Sequence, residues 1–107
     1  MTNMVSDQIL NEIIRRIVET ARPRKIILFG SAERGEMGPN SDLDFLVVMP
    51  SGVHRRNTAR FIYRNLIGVG FAADIVVVTE QDVERYRNNI GMVIKPAVEQ
   101  GRLLYGK

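Results

Sequence analysis

The sequence contains no cysteine, and its only histidine is His54. Without cysteine there can be no disulfide and no thiolate metal site. One histidine argues against a histidine-rich zinc centre, whereas oxygen-only sites for hard cations remain open. No apolar run approaches the roughly 18 residues that a membrane-spanning helix requires, and the amphipathic N-terminus does not resemble a secretory signal. We therefore expect a cytoplasmic protein with no membrane association.

The residues that are present fit an ordinary globular domain. Of the 107 residues, 45% are hydrophobic and 25% are charged, which is typical of such domains. The length suits one hydrophobic core, so we predict a single domain over residues 1–107. Fifteen Lys and Arg residues against twelve Asp and Glu give a net charge of +3. This mild excess favours anionic partners such as nucleotides, nucleic acid or an acidic protein surface, without choosing among them.

Helical and strand patterns alternate along the chain. Apolar residues at helical spacing predict a first helix between Ser6, a candidate N-cap, and Pro23, which ends it. Short β-rich apolar runs predict three strands, at residues 25–29, 45–49 and 75–78. Further helices are predicted from about residue 32, over 59–67, over 80–87 with Thr79 as cap, and over 90–100, and a small strand over 103–105. The resulting α-β-α-β-α-β-α order, with strands that are apolar on both faces, indicates a sheet covered by helices.

The loop between the first two strands is the one segment rich in glycine, proline and asparagine. Gly30 and Gly35 have the spacing of a Walker A loop, but the two residues after Gly35 are not the required Lys-Ser/Thr pair, and the dinucleotide pattern G-x-G-x-x-G is absent. The Gly30-Ser31 turn, between a strand and a helix, would still gather backbone N–H groups for an anion. Alone, such a turn is more often only a turn.

Two acidic residues follow this loop. The segment Ser41-Asp42-Leu43-Asp44 fits a capping box, but the β-rich residues after it reach Pro50 within six positions, too few for a helix of normal length. As a strand, the segment places Asp42 and Asp44 on one face. Two like charges side by side are costly unless a cation lies between them. Oxygen-only ligands suit Mg²⁺ or Mn²⁺.

A third carboxylate, Asp74, opens the third apolar strand. Considered alone, it is better explained as a solvent-exposed strand end. Together with Asp42 and Asp44, it would bring three acids from strand ends to one edge of the sheet. Three carboxylates can hold two divalent ions about 4 Å apart, the geometry used for in-line displacement at phosphorus.

These motifs resemble the nucleotidyltransferase superfamily that includes DNA polymerase beta. The segments LFGSAERGEMGPNSDLDFLVV and ADIVVV carry the hallmark, a G-S pair followed by D-x-D and a later D. The matching residues are Gly30, Ser31, Asp42, Asp44 and Asp74. The chain is most similar to the minimal nucleotidyltransferases, in which G-S-x-x-R-G and S-D-x-D occur in chains of about this size. The resemblance extends over nearly the whole sequence.

The resemblance implies a polymerase beta-like α/β (α+β) fold, with a small mixed sheet flanked by helices and the active site at one sheet edge. It implies Mg²⁺-dependent transfer of a nucleoside monophosphate from ATP to a hydroxyl, with two ions and with Mn²⁺ as an alternative. Asp42 and Asp44 would bind both ions. Asp74 would bind the activating ion and help to deprotonate the acceptor. Gly30 and Ser31 would hold the triphosphate.

Three further residues of the motif region have weaker assignments. Arg34 is a candidate phosphate contact, although a structural salt bridge explains it equally well. Glu33 departs from the family pattern, in which a small residue is frequent. Ser41 is a candidate nucleotide contact, but hydrogen bonding between loop and strand is the preferred explanation.

The resemblance also implies a partner. Relatives of this size commonly pair with a HEPN protein in a toxin–antitoxin module, in which they transfer AMP to a tyrosine of the HEPN ribonuclease. We expect such a hetero-oligomer and no direct binding of nucleic acid. Two alternatives stay open: nucleotidyl transfer to a small molecule such as an antibiotic, and a non-catalytic antitoxin that neutralises its partner by binding. Three mutually repelling acids disfavour the second alternative.

The second long helix has a basic side and an apolar side. Arg56, Arg60 and Arg64 lie one turn apart, and a solvated face is favoured over a docking surface for an acidic partner or RNA. His54, just before the helix, is interpreted as a surface loop residue. Tyr63 falls on the apolar side, so we predict that it packs in the core.

Overall fold

The computed structural model describes residues 7–29, 43–69, 73–86 and 101–106. The described elements, in chain order, are α1 (Asp7–Ala21), β1 (Lys25–Phe29), β2 (Leu43–Met49), α2 (Arg55–Asn65), β3 (Ala73–Thr79), α3 (Glu80–Tyr86) and β4 (Arg102–Tyr105). The predicted N-cap Ser6 and the helices predicted from residue 32 and over 90–100 lie outside the described residues. Within the described part of the chain, no helix has the length and apolar character needed to cross a bilayer.

The four strands form one mixed sheet in the order β3-β2-β1-β4. β2 and β3 run parallel, and α2 makes the crossover between them, as a parallel pair requires. β1 pairs antiparallel with both β2 and β4. The predicted fold class, a small mixed sheet flanked by helices, is confirmed.

Apolar side chains cover both faces of the sheet. The larger cluster lies between the sheet and α1 and α2, and its buried members are Leu10, Ile13, Ile17, Ile26, Leu28, Leu43, Phe45, Val47, Met49, Ile62, Leu66 and Ile75. The smaller cluster occupies the opposite face beside α3, and its buried members are Ile27, Leu46, Val48 and Val78. Alternate residues of β2 therefore point to different clusters, because side chains alternate along a strand.

α1 ends just before Pro23, as the sequence predicts. The helix stops at Ala21, and Arg22 adopts a left-handed conformation with φ of 52°. Its N–H donates to the carbonyl oxygen of Val18 at 2.9 Å, which closes the last turn. Pro23, which cannot continue a helix, is buried immediately afterwards.

Arg16 of α1 ties the two long helices together. Its Nη1 donates to the carbonyl oxygens of Asn65 at 3.2 Å and Ile67 at 3.1 Å, at the C-terminal end of α2. Its Nε donates to Glu12 at 2.7 Å. Hydrogen bonds from Arg15 and Arg16 lower the pKa of Glu12 to about 2. A cation at the C-terminus of a helix satisfies free carbonyl groups and complements the helix dipole.

Arg16→Ala should lower the free energy of unfolding by about 1–2 kcal/mol, because two charge-assisted bonds to α2 are lost. Arg15→Ala is the matched control, since Arg15 contacts only Glu12 and Glu19 of its own helix among the hydrogen bonds of the described residues. Its loss should leave the free energy of unfolding close to that of the wild type, because exposed ion pairs contribute little. Urea denaturation followed by circular dichroism measures both values, and equal losses would contradict the assigned role of Arg16.

Candidate active site

Two of the predicted acids are neighbours across the sheet. Asp44 is the second residue of β2 and Asp74 is the second residue of β3, and they are Cα partners in the parallel register. Adjacent strands lie about 4.8 Å apart, and residues in register project to the same face. The structure therefore places Asp44 and Asp74 side by side at one rim of the sheet.

Burial of the flanking residues fixes the face on which these acids lie. Leu43 and Phe45 have no solvent exposure and belong to the cluster under α1 and α2. Ile75, which follows Asp74, belongs to the same cluster. Because side chains alternate, Asp44 and Asp74 project toward the opposite face. Asp44 is half-buried there and Asp74 is exposed, so this pair of carboxylates is accessible to a ligand from solvent.

The strand ends that flank residues 30–42, the segment with the Gly-Ser and Asp-x-Asp motifs, lie at the same rim. Phe29, which precedes Gly30, is the register partner of Asp44, and Leu43 directly follows Asp42. The connection between the two strands therefore leaves and re-enters the sheet beside the paired carboxylates. The other predicted site residues, Gly30, Ser31, Arg34, Ser41 and Asp42, lie outside the described residues.

Tyr63 contacts the site, and its predicted packing in the core is wrong. The side chain is 42% exposed, and its hydroxyl donates to Asp74 Oδ1 at 3.0 Å. The same hydroxyl accepts a hydrogen bond from the backbone N–H of Ile75 at 2.9 Å. Tyrosine at the border of an apolar helix face combines ring packing with a polar end, a property that hydrophobic periodicity alone does not reveal.

Thr79, the last residue of β3, caps α3 as predicted. Thr79 Oγ1 accepts from the N–H of Asp82 at 3.1 Å, and Asp82 Oδ2 accepts from the N–H of Thr79 at 3.0 Å. This reciprocal arrangement is a capping box. Burial acts to raise the pKa of Asp82, but its hydrogen bonds with Thr79 and the nearby Arg55 charge outweigh it, so the pKa lies below its ordinary value. Arg55 Nη1 donates to Asp82 at 3.0 Å.

His54 begins α2. It is exposed, as a surface residue should be, but it also acts as N-cap, because its Nδ1 accepts from the N–H of Asn57 at 3.2 Å. Arg56, Arg60 and Arg64 are exposed along the same helix. Their exposure agrees with the predicted basic face of this helix.

An open groove of about 720 Å³ runs along the outer edge of β3. Its floor is formed by residues 75–77, which directly follow Asp74, and its wall by the first half of α2. Arg55 and Arg56 contribute positive charge to the wall. The groove therefore adjoins the carboxylate rim and offers space for an anionic or polar group next to it.

The donor set at the rim fits a hard divalent cation. Both described side chains are carboxylates, which Mg²⁺ and Mn²⁺ prefer. Residues 7–29, 43–69, 73–86 and 101–106 contain no group of three acidic, histidine or cysteine side chains arranged to hold a metal ion. The third predicted ligand, Asp42, is outside these ranges. The two described carboxylates, Asp44 and Asp74, are therefore of the chemical type that could bind such a cation.

This mixed sheet carries two acids in register at one rim, next to the strand ends that flank residues 30–42. Residues 9–105 match the family described as nucleotidyltransferase domain, and the chain belongs to that family. No curated protein sequence matches the chain significantly.

Two solved structures resemble the fold. One is a candidate nucleotidyltransferase from Sulfolobus solfataricus, with 22% identity and a TM-score of 0.56 over 73% of this chain and 70% of that chain. The other is the Cid1 poly(U) polymerase with MgGTP bound, with 20% identity and a TM-score of 0.47 over 75% of this chain and 35% of that chain. The first of these similarities supports the assigned fold.

Proposed function

We propose that this protein is a Mg²⁺-dependent nucleotidyltransferase that moves AMP from ATP to a hydroxyl group. The observation that carries the proposal is the register pair of Asp44 and Asp74 on parallel strands. Two carboxylates at this spacing repel each other, and a divalent cation between them would turn that repulsion into a favourable interaction. Membership of the nucleotidyltransferase domain family supports the reaction class.

In the proposed reaction, the acceptor oxygen forms a bond to the α-phosphorus of ATP. The bond from that phosphorus to the oxygen that bridges to the β-phosphate breaks, and pyrophosphate leaves. The acceptor proton passes to the carboxylate of Asp74. Gly30 and Ser31 hold the triphosphate, and Asp42 and Asp44 complete the ligand set with Asp74. Two bound Mg²⁺ ions, or Mn²⁺, would neutralise the triphosphate and favour the ionised acceptor.

We further propose a tyrosine of a HEPN-type partner as the acceptor, in a toxin–antitoxin complex. The similarity of the G-S-x-x-R-G and S-D-x-D motifs to those of minimal nucleotidyltransferases supports this partner. The exposed arginines of α2 supply a positive surface that suits an acidic face of a protein. The open groove beside Asp74 leaves room for an acceptor side chain to reach the rim.

Labelled ATP should transfer its α-phosphate to the co-expressed partner in the presence of Mg²⁺, and EDTA should abolish the transfer. The variant Asp42→Ala/Asp44→Ala should leave the partner unlabelled while still binding it. Intact-mass measurement of the partner should show one or more added AMP groups. ATP labelled at the γ-phosphate is the control and should leave no label, because pyrophosphate is released.

Three outcomes would contradict the proposal in different ways. Neutralisation of the partner by both proteins without label would indicate a non-catalytic antitoxin. Label on a small hydroxyl compound and not on the partner would indicate the small-molecule alternative. Label that persists in the double variant would exclude the acids as the catalytic site.

A further inference from the structure

Two hydrogen-bond partners define the orientation of the Tyr63 hydroxyl. Ile75 presents a backbone N–H at 2.9 Å, which can only donate, so the hydroxyl oxygen accepts there. An ionised carboxylate can only accept, so the single hydroxyl hydrogen points to Asp74 Oδ1 at 3.0 Å. The hydrogen bond from Ile75 of β3 therefore aligns the Tyr63 hydroxyl toward the carboxylate of Asp74 on the same strand.

This arrangement restricts an otherwise mobile group. Asp74 is exposed on β3, the outermost strand of the described sheet, where a carboxylate would sample several rotamers. Tyr63 belongs to α2, whose neighbouring residue Ile62 is completely buried. The helix therefore provides a rigid base for the hydroxyl. One carboxylate oxygen of Asp74, Oδ1, is thereby held by the hydrogen bond from Tyr63.

We propose that Tyr63 is a positioning residue, whose hydroxyl orients the Asp74 carboxylate to bind a divalent cation. The role rests on the proposed function, in which Asp74 is a metal ligand and receives the acceptor proton. Tyr63 acts through Asp74 and needs no contact with the nucleotide. Hydrogen-bond partners of metal ligands typically contribute 10–100-fold to metal affinity or activity.

The hydroxyl also stabilises the backbone of β3, so the test needs a control for stability. Asp82 provides one, because its carboxylate accepts from the N–H of Thr79 at the other end of the same strand. Asp82→Ala removes the side chain that bonds the backbone of Thr79, and no hydrogen bond joins Asp82 to Asp74 among those of the described residues. Tyr63→Phe removes only the hydroxyl group. Each variant loses one hydrogen bond to the strand backbone and one to a charged side chain, Asp74 or Arg55. Both variants should therefore lower the melting temperature by a similar amount, on the order of 5 °C.

Tyr63→Phe should raise the Kd for Mn²⁺ alone by about tenfold, measured by electron paramagnetic resonance of free Mn²⁺. It should lower kcat by about tenfold and leave KM for ATP within about twofold, since Gly30 and Ser31 are the proposed triphosphate contacts. Asp82→Ala should leave the Mn²⁺ affinity and kcat unchanged at a temperature where both variants are fully folded.

The possible results separate this role from the proposed function. Weaker Mn²⁺ binding in Tyr63→Phe only, with no transfer by any form, supports positioning and contradicts the proposed function. Equal transfer and equal Mn²⁺ affinity in the wild type and Tyr63→Phe overturn positioning and leave the function intact. Parallel losses in Tyr63→Phe and Asp82→Ala also overturn positioning, because the hydroxyl would then act only by stabilising β3.

Discussion

Asp44→Asn and Asp74→Asn should each lower the rate of the proposed AMP transfer by about 10³-fold or more. Either substitution keeps the size of the side chain and removes one negative charge from the register pair. Loss of a group that stabilises charge or carries a proton in the transition state commonly has an effect of this size. Single-turnover measurement of pyrophosphate release at saturating Mg²⁺ and ATP gives the rate directly.

The same two variants should keep the stability of the wild type when Mg²⁺ is absent. Each removes one of two like charges on neighbouring strands, so the melting temperature should be unchanged or slightly higher. Excess Mg²⁺ and ATP should stabilise the wild type by about 2.7 kcal/mol at 100 times Kd, and the variants by much less. A loss of activity that accompanied unfolding would not support a catalytic role.

Glu80→Gln is the matched control for charge. Glu80 is an exposed acid that follows β3 at the end opposite Asp74, and it pairs with Arg24 at 3.6 Å. Removing its charge should leave the rate of transfer within about twofold, since exposed ion pairs contribute little. Comparable losses in Glu80→Gln and Asp44→Asn, or a loss below tenfold in both aspartate variants, would contradict a site at the rim.

The sequence predicts the strands and one cap well because their signals are local. The apolar run from Lys25 to Phe29 coincides with β1, and Thr79 caps α3 through a reciprocal bond with Asp82. β2 and β3 begin two residues earlier than their apolar runs. Backbone pairing between the parallel strands includes Asp44 and Asp74. A hydrophobic pattern in the sequence detects only the buried residues that follow these two acids.

The side-chain partners of the site depend on tertiary structure and could not be predicted. Tyr63 and Asp74 are eleven residues apart, and their contact exists only because α2 crosses back along the edge of β3. The order β3-β2-β1-β4 places the first strand between the second and the last. The parallel pairing of β2 with β3 aligns Asp44 with Asp74. The sequence alone therefore predicts that the two acids are close, and only the sheet shows that they are in register.

Phe45→Ala should lower the free energy of unfolding by about 3–5 kcal/mol, the largest stability effect expected here. Phe45 is completely buried and is the largest such side chain among the described residues. Its ring lies in the cluster between the sheet and the two long helices. A loss of this size is a major part of the 5–15 kcal/mol typical of a whole domain. Guanidinium denaturation monitored by circular dichroism measures it.

Phe61→Ala is the matched control, because Phe61 is the same residue type at 55% exposure on α2. Its loss should cost less than about 0.5 kcal/mol. The comparison also tests the site, since the period of a strand is two. If Phe45 faces the core, Asp44 must face the opposite side together with Asp74. A loss below about 1 kcal/mol for Phe45→Ala would place Phe45 outside a packed core, and the assignment of Asp44 to the accessible face of the rim would fail with it.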